Sequence, residues 1–465
     1  MRRAFLLGFL AGAVYFWGTL YWLIETMTTF GGLSTPIATF AAAMLVAYLS
    51  LFPATFAWIF ARCRRTYGRA ALVVVPFAWV TTELGRQYVW DGFPWALLGY
   101  SQVTMLPIAQ AASVAGVYGL SWLLALSASA LAAIALERGR SRWVPMAGVL
   151  VLVAGLAVWG SGRLRASPLT SQGEPVRVAV VQGNIAQEDK WDPALRDAIT
   201  DRYLAMTREA LAAGATFILW PESSTPFFFE RDLIRGSAIR RLARESGATL
   251  LIGSDQVEPV KATTATEKPQ ERYYNAAFLV KTDGEVGAVY RKMHLVPFGE
   301  YVPLKSLLFF VGPIIEAVSA FTAGRDPVLL PVGQHRVSTA ICYEVIFPSL
   351  IRRFVQDGSE MLTTITNDAW YGRSSAAYQH WEQAAMRSIE QGRYLARAAN
   401  TGISGFVDPY GRMLQTTDLF QPAVVVADLR FLTAATIYNR IGDLIAWLSL
   451  AIVGTALLGA KIVGK

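Results

Sequence analysis

Long apolar runs at both ends of the chain constrain its fold more than any other feature. A helix needs roughly 20 consecutive apolar residues to cross the core of a bilayer. Six segments approach this length, and they run from Ala4 to Ile24, Thr35 to Ala61, Ala70 to Trp90, Met105 to Leu136, Trp143 to Gly162 and Leu444 to Ala460. The pattern predicts an α-helical transmembrane bundle of about five spans over residues 1–165 and a closing transmembrane helix over 440–465.

Individual runs differ in how well they fit this prediction. The first is too long and too aromatic for a signal peptide, so we expect it to be retained. Pro53 should kink the second, and Glu83 and Arg86 interrupt the third. Hydrophobic residues make up 54% of the chain and charged residues only 16%, a balance that is unusual for a soluble protein.

Basic residues are distributed unevenly among the loops. Lys and Arg collect in cytoplasmic loops, and here they precede the first span, follow the second and fourth, and end the chain: Arg2, Arg3, Arg62, Arg64, Arg65, Arg69, Arg138, Arg140, Arg142, Lys461 and Lys465. This asymmetry predicts cytoplasmic termini and a middle region on the outer side. Much of the net charge of +8 therefore reports topology, and no basic cluster interleaved with aromatics suggests a nucleic-acid partner.

The middle region, residues 175–432, has an α/β pattern. Short β-rich runs alternate with helical stretches. The predicted strands are Val176 to Gln182, Thr216 to Trp220, Thr249 to Gly253, Ala276 to Val280, Val337 to Ile341 and Met361 to Thr366, and the predicted helices include Pro193 to Ala213 and Gln379 to Ala399. The polar segment from Glu258 to Arg272 is predicted to be an exposed loop.

The two cysteines fall on opposite sides of the predicted membrane. Cys63 lies in a basic, cytoplasmic loop and Cys342 ends a strand of the outer region, so they cannot form a disulfide. A lone cysteine is more often a small buried hydrophobe than a nucleophile. The residues around Cys342 must therefore decide between the two interpretations.

Three segments share one design, in which a reactive side chain follows a predicted strand. Glu222, Lys292 and Cys342 occupy these positions. Strand ends are where active sites of α/β sheets assemble from distant parts of the chain. A carboxylate can remove a thiol proton, an ammonium can stabilise an oxyanion, and a thiolate can attack an acyl carbon. We therefore predict a catalytic triad, although any one segment alone could be a turn or a solvated charge.

Together the wording of these segments is specific. The set resembles the nitrilase superfamily and, within it, the apolipoprotein N-acyltransferase family, through Val181-Gln182-Gly183-Asn184-Ile185, Lys190-Trp191-Asp192, Trp220-Pro221-Glu222, the run from Lys292 to Pro303, Ile341-Cys342-Tyr343-Glu344 and the run from Asn367 to Gly372. The resemblance covers nearly the whole chain and implies an α-β-β-α sandwich for the middle region. Members typically carry a further pair of N-terminal helices, which we expect to be missing here.

The resemblance also implies a reaction. Cys342 would take an acyl group from a phospholipid as a thioester, with Glu222 as base and with Lys292 and a backbone N–H such as that of Tyr343 holding the oxyanion. The acceptor would be the α-amino group of a diacylglyceryl-cysteine on an apolipoprotein. The enzyme would be a multi-pass protein of the bacterial inner membrane, with its catalytic domain on the periplasmic side. No cofactor is implied, and the three histidines lack the spacing of a metal site.

Five further residues are predicted to be auxiliary or substrate-contacting: Glu300, Glu344, Tyr343, Trp191 and Asn275. Glu300 and Glu344 could orient Lys292 or form plain structural ion pairs, and Trp191 could equally be packing. His294 and Asp368 are interpreted as structural supports. A set at helical spacing is predicted to be an ion-paired helix face, and it consists of Arg387, Glu390, Arg393 and Arg397.

Two apolar stretches of the middle region leave alternatives open. Pro226 to Phe229 and Leu307 to Val318, which includes Phe309 and Phe310, could be core or an apolar gate for acyl chains at the membrane surface. The alternative function is a membrane-tethered amidase or nitrilase that passes its thioester to water, and a catalytically dead scaffold is a third. The triad argues against the scaffold, and the full motif set favours acyl transfer.

Overall fold

The computed structural model describes residues 1–136, 138–260, 270–297, 299–301 and 321–463. The chain divides into two compact units. The first comprises Met1–Pro168, Ile389–Gly392 and Ala435–Lys465, and the second comprises Leu169–Ser388 and Arg393–Ala434. The first unit is helical and the second is α/β.

The helical unit contains long and short helices. Its α-helices are Arg2–Leu20, Trp22–Thr29, Thr35–Tyr67, Val75–Tyr88, Leu106–Ala109, Ala112–Leu136, Val144–Ala166, Ile437–Ile441 and Leu444–Val463, and its 3₁₀ segments are Gly68–Val73, Leu98–Gln102 and Arg140–Trp143. Within the described ranges, five segments are long and apolar enough to cross a membrane: Arg2–Leu20, Thr35–Val73, Ala112–Leu136, Arg140–Thr170 and Leu444–Ile462. They overlap five of the six predicted spans.

The remaining predicted span, from Ala70 to Trp90, forms a shorter helix. Val75–Tyr88 has 14 residues, which at 1.5 Å per residue cover about 21 Å. Its two charged residues, Glu83 and Arg86, are buried and form an ion pair at 3.8 Å. Glu83 also accepts a hydrogen bond from the backbone N–H of Leu98 at 2.7 Å. The charges that interrupt the apolar pattern therefore serve internal packing of the unit.

Two further details of the helical unit differ from the prediction. Cys63 lies inside Thr35–Tyr67, fully buried in a cluster with Ile59 and Val453, and not in a loop. The helix predicted from Met105 begins only at Ala112, and its backbone is non-helical at Gly116, with φ 65° and ψ −176°. A Cβ at Gly116 would come within 2.4 Å of the Tyr438 ring, so this close approach requires glycine.

The α/β unit is built on two six-stranded sheets. Its strands are β1 Pro175–Gln182, β2 Phe217–Leu219, β3 Thr249–Val260, β4 Gln270–Val280, β5 Val286–Arg291, β6 Leu330–Val332, β7 His335–Ile341, β8 Met361–Thr366, β9 Leu395–Ala399, β10 Gly405–Val407, β11 Met413–Thr416 and β12 Ala423–Arg430. Its α-helices are Arg196–Ala212, Leu233–Ser246, Pro348–Gln356 and most of Ser375–Gln391, and 3₁₀ turns cover Cys342–Ile346 and Asp368–Tyr371. A further 3₁₀ turn, Pro168–Thr170, lies at the boundary between the units.

The two sheets have matching topologies. Their orders are β12-β1-β2-β3-β4-β5 and β11-β10-β9-β8-β7-β6. In each, three central strands are parallel, β1-β2-β3 and β7-β8-β9, and the outer pairings are antiparallel. Tyr203 and Ile239, from two helices, pack against Ile218 and Leu250 of the first sheet in one buried cluster. The predicted combination of a helical bundle with an α/β domain is confirmed.

Two secondary-structure predictions for this unit were wrong. The expected loop from Glu258 to Arg272 is strand at both ends, because β3 and β4 pair as far as Val260 with Gln270; residues 261–269 lie outside the described residues. The helix predicted from Gln379 to Ala399 ends at Gln391, where Gly392 takes a left-handed conformation with φ 62°. The following segment is the fully buried strand β9, so tertiary burial overrides its helix propensity.

Candidate active site

The structure brings together the carboxylate and the ammonium of the predicted triad. Glu222 follows β2, and Lys292 follows β5 directly. Lys292 Nζ lies 3.2 Å from Glu222 Oε1, and both side chains are almost fully buried. Cys342 follows β7, is 5% exposed, and its thiol interacts electrostatically with both. Three strand ends therefore deliver one buried cluster of carboxylate, ammonium and thiol.

Hydrogen bonds hold the Glu222 carboxylate at both oxygens. Oε1 accepts from Asn275 Nδ2 at 2.7 Å, and Oε2 accepts from the backbone N–H of Asn367 at 2.8 Å. Burial alone would raise the pKa of Glu222, but the Lys292 charge and the Asn275 hydrogen bond lower it below its usual value. The carboxylate is therefore ionised and able to accept a proton.

The Lys292 ammonium lies between two carboxylates. Its second partner is Glu300 Oε1, at 2.9 Å. Burial would lower the pKa of Lys292, but the charges of Glu222 and Glu300 raise it well above the usual value. The backbone of Lys292 is also held, because its N–H donates to the carbonyl oxygen of Asn275 at 2.9 Å. The site thus keeps a fixed positive charge where an oxyanion could be stabilised.

Cys342 occupies a strained turn between β7 and the 3₁₀ turn Cys342–Ile346. Its φ of +52° lies in the left-handed region, which a non-glycine residue adopts only when its surroundings enforce it. Its carbonyl oxygen lies 3.1 Å from His380 Nε2, and since a carbonyl only accepts, His380 donates. Burial, followed by the Glu222 charge, raises the pKa of the Cys342 thiol to about 12. The resting thiol is therefore protonated and needs a base.

Glu344 fastens the turn of Cys342 to the segment after Lys292. Its Oε1 accepts from the Tyr290 hydroxyl at 2.7 Å and from the backbone N–H groups of Met293 and His294 at 2.6 and 3.1 Å. Its Oε2 accepts from the N–H of Ile341 at 2.7 Å. Burial raises the pKa of Glu344 to about 7. Glu344 is thus placed to hold two triad segments at once.

Glu300 and Asn275 extend the same hydrogen-bond network. Glu300 Oε2 accepts from the N–H of Val296 at 2.8 Å, and its Oε1 accepts from Asn275 Nδ2 at 2.8 Å. Asn275 therefore donates to the two carboxylates that flank Lys292, those of Glu222 and Glu300. Its own Oδ1 is buried and has no hydrogen-bond partner among the described residues. Among the described residues, no donor therefore occupies this acceptor.

The aromatic residues predicted to contact substrate differ in exposure. Tyr343 is buried, with its ring edge-on to Phe347 at 5.2 Å between centroids. Trp191 is 46% exposed. His294 stacks on Phe347 at 4.3 Å. Tyr343 and His294 therefore belong to the packed surroundings of the turn, whereas Trp191 retains a free face for contact.

The predicted ion-paired helix face was wrong for two of its four members, and the other two, Arg387 and Glu390, lie on the helix but are fully buried. Arg393 follows the helix, and Arg397 lies on β9, fully buried, with Nη2 2.8 Å from Asp368 Oδ2. Asp368 also lies 3.0 Å from His380 Nδ1. Burial would raise the pKa of Asp368, but Arg397 and His380 lower it strongly. Asp368 thus supports the His380 ring that holds the Cys342 carbonyl, in line with its predicted structural role.

The apolar stretch from Pro226 to Phe229 alternates between two environments. Phe227 and Phe229 are buried in the core of the first sheet, as the packing interpretation requires. Phe228 is only half-buried and lies against Tyr273, with ring centroids 6.1 Å apart. The second stretch, Leu307 to Val318, lies outside the described residues. The gate hypothesis therefore stays a prediction that rests on Phe228.

Sequence reasoning missed two buried residues of this site. Lys190 is 4% exposed and donates to the carbonyl oxygen of Glu222 at 3.2 Å, and His380 holds the Cys342 carbonyl. Lys190 stands within a segment that carried the resemblance, but a lysine before a tryptophan gives no sign of burial. His380 is a lone histidine on a helix. Within the described ranges, no group of three or more His, Cys, Asp or Glu residues could hold a metal ion.

Comparison with known proteins decides the family. A carbon-nitrogen hydrolase model matches residues 177–438, and a model of the apolipoprotein N-acyltransferase N-terminal domain matches residues 1–130. The apolipoprotein N-acyltransferase of Geobacter metallireducens is 40% identical over 99% of this chain and 87% of its own length. The chain belongs to the apolipoprotein N-acyltransferase family.

A second relative agrees with this assignment, and a solved structure shows a more distant likeness. The apolipoprotein N-acyltransferase of Methylococcus capsulatus is 35% identical over 95% of this chain and 84% of its own. A solved nitrilase-superfamily amidase from Nesterenkonia AN1 is 23% identical and covers 56% of this chain and 92% of its own, with a TM-score of 0.42. As a member of the apolipoprotein N-acyltransferase family, the chain is an acyltransferase and an integral membrane protein, and the resemblance seen in the sequence is confirmed.

Proposed function

We propose that this acyltransferase moves a fatty acyl group from a phospholipid, through a thioester on Cys342, to the α-amino group of the N-terminal diacylglyceryl-cysteine of an apolipoprotein. The observation that carries the proposal is the buried Glu222–Lys292 pair, 3.2 Å apart, in electrostatic contact with a thiol on a strained turn. Family membership supplies the substrate classes.

Acylation of the enzyme needs a base, an oxyanion site and an acid. Glu222 takes the thiol proton as Sγ attacks the ester carbonyl carbon. The negative charge that develops on the carbonyl oxygen is stabilised by Lys292 and by the backbone N–H of Tyr343. When the tetrahedral intermediate collapses, the carbon–oxygen bond to glycerol breaks, and protonated Glu222 returns its proton to the leaving oxygen. A lysophospholipid departs and the thioester remains.

Transfer to the acceptor reverses the same proton path. The uncharged α-amine attacks the thioester carbon, and Glu222 removes a proton from the attacking nitrogen. Collapse of the second intermediate breaks the carbon–sulfur bond and forms the amide, and Glu222 returns the proton to the Cys342 sulfur. The buried Oδ1 of Asn275, which has no hydrogen-bond partner among the described residues, is suited to accept a hydrogen bond from this amine. Asn275 would then orient the acceptor beside the base.

We place the catalytic domain on the periplasmic side of the bacterial inner membrane. Arginines lie at the end of Thr35–Tyr67 and after Ala112–Leu136, so both of these helix ends belong on the cytoplasmic side. Because Ala112–Leu136 is itself one crossing, the chain must also cross once between Tyr67 and Ala112. The 3₁₀ segment Gly68–Val73 and the helix Val75–Tyr88 rise about 12 and about 21 Å. Together they are long enough for a bilayer core of about 30 Å.

The experiment supplies phospholipid with a labelled acyl chain and a diacylglyceryl-cysteine peptide to the detergent-purified protein. We expect label on the peptide, and none on a matched peptide whose α-amine is acetylated. Cys342→Ser, Glu222→Gln and Lys292→Met should abolish transfer, whereas Lys281→Met, at an exposed lysine paired with Asp283, should not. Release of free fatty acid with no label on the peptide would instead establish hydrolysis and refute the proposal.

A further inference from the structure

A second buried lysine lies beside the base and takes no part in the steps above. Lys190 is 4% exposed, and its Nζ donates to the backbone carbonyl oxygen of Glu222 at 3.2 Å. Burying an ammonium is costly unless it is hydrogen-bonded and near compensating charge. The compensating charge comes from Glu222 and Asp255, which both interact electrostatically with Lys190. Such a placement is expensive to maintain for packing alone.

The residue after Glu222 is held in an unusual conformation. Ser223 has φ +42°, in the left-handed region, and its hydroxyl donates to Asp255 Oδ1 at 2.9 Å. Asp255 lies on β3 and is 9% exposed. One more contact fixes the segment, because the N–H of Ser224 donates to the carbonyl oxygen of Gly253 at 2.8 Å. The turn that carries Glu222 is therefore fastened to β3 on one side and to Lys190 on the other.

The backbone around Glu222 packs so closely against Gly253 of β3 that this turn cannot shift towards the strand. A Cβ at Gly253 would lie 2.2 Å from the carbonyl oxygen of Pro221 and 2.7 Å from the Cα of Glu222. Only glycine allows this distance. The backbone of Glu222 is thus in contact with β3, and its carbonyl oxygen is bound by the Lys190 ammonium.

We propose that Lys190 and Asp255 are positioning residues for Glu222, the ammonium by holding its carbonyl oxygen and Asp255 by holding Ser223 in the left-handed conformation. The Lys190 charge also favours the ionised, proton-accepting form of Glu222. The proposal rests on the proposed thioester chemistry, because it concerns the base of that reaction. Neither residue is required to touch the substrate.

The role of Lys190 predicts a particular pH dependence of acylation. Burial lowers the pKa of Lys190 to about 8, although Glu222 and Asp255 act in the opposite direction. The ammonium is lost as pH rises through this value, so acylation should fall above about pH 8. On the acid side, the rate should fall as Glu222 becomes protonated. Removing the Lys190 charge raises the pKa of Glu222, so the acid limb should move to higher pH.

Other charged or titratable groups interact directly with Glu222 or Lys190, and they are Lys292, Asp255, Cys342 and Tyr371. Glu300 and Glu344 interact with Lys292 and belong to the same network. Two of these groups have pKa values near the working range, since burial raises the pKa of Asp255 to about 6 and of Glu344 to about 7. The Lys190→Arg variant distinguishes the titration of these two carboxyls from that of Lys190, because a guanidinium does not titrate in this range and the variant leaves both carboxyls in place.

The test measures single-turnover acylation of the detergent-purified full chain by p-nitrophenyl butyrate, a water-soluble ester, between pH 3 and 10, with the fold checked by thermal unfolding at each pH. Lys190→Met should slow acylation by roughly ten- to hundredfold and shift the acid limb upwards. Lys190→Arg should recover most of the rate and lose the limb near pH 8. Lys281→Met, which removes an exposed lysine, should match the wild type in rate and profile.

Asp255→Asn provides a second test that keeps the shape of the side chain. It removes a charge that raises the pKa of Lys190, so the basic limb should move to lower pH. Wild-type rates and profiles in both Lys190→Met and Asp255→Asn would overturn the inference. So would a slow Lys190→Met variant with unshifted limbs, since that is the signature of a merely structural role. Failure of the wild type to form a thioester at Cys342 would instead refute the proposed function.

Discussion

Replacing Glu344 with glutamine changes one buried atom and should displace the nucleophile. The carbonyl oxygen of glutamine can accept the same three hydrogen bonds that Oε1 now accepts, from Tyr290, Met293 and His294. The new amide NH₂ would face the N–H of Ile341, which Oε2 now accepts at 2.7 Å. Two donors would then meet in a buried site, and a buried donor left without an acceptor costs about 1–3 kcal/mol.

This cost falls on the residue just before Cys342, whose own φ of +52° needs support from its surroundings. If the turn relaxes to satisfy Ile341, the thiol leaves its reactive position, and a loss of that size corresponds to a roughly ten- to hundredfold slower acylation. The assay is the rate of thioester formation, with Glu271→Gln as control because Glu271 pairs with Arg231 at the surface. Acylation of Glu344→Gln at the wild-type rate would refute the positioning role.

Two further predictions concern lipid access and topology. Phe229→Ser should lower the free energy of unfolding by about 3–5 kcal/mol, because that side chain is 1% exposed. Phe228 is half-buried, so Phe228→Ser should stay folded and should lose acylation by long-chain phospholipid but not by a short-chain ester. Equal losses on both substrates would count against the gate. Cys63 is too buried to report topology, so single cysteines at the exposed positions Ser141 and Ser246 are better probes. In intact spheroplasts an impermeant thiol reagent should label Ser246→Cys and spare Ser141→Cys, and the opposite pattern would reverse the orientation.

The Glu222–Lys292 pair was predictable because the signal for each residue lies within a few neighbouring positions of the sequence. A short apolar run followed by a polar residue identifies a strand end. β2 is parallel to β3, and the two antiparallel pairings β3-β4 and β4-β5 leave β5 running in the same direction, so the ends of β2 and β5 lie at the same edge of the sheet. Strand β8 was predicted at its exact bounds, and β1 within one residue. The prediction of these two strands used only the residues within each strand and did not depend on contacts that are distant in sequence.

Features that depend on distant contacts were not predictable in this way. The segment Leu395–Ala399 has the composition of a helix, but it lies between β8 and β10 and is a strand. Arg397 therefore meets Asp368 instead of lying on a helix face. Lys190 looks like a solvated charge until the fold buries it against the Glu222 carbonyl. In each case tertiary packing determined the outcome, and the residue types alone gave no signal.

The central claim, that an acyl group passes through Cys342, is tested most directly by mass spectrometry of the purified protein after exposure to phospholipid. We expect the intact mass to rise by one fatty acyl group, the modification to map to the peptide that contains Cys342, and hydroxylamine to remove it. Addition of a diacylglyceryl-cysteine peptide should discharge it. An unmodified Cys342 in protein that nevertheless acylates the peptide would contradict the thioester mechanism.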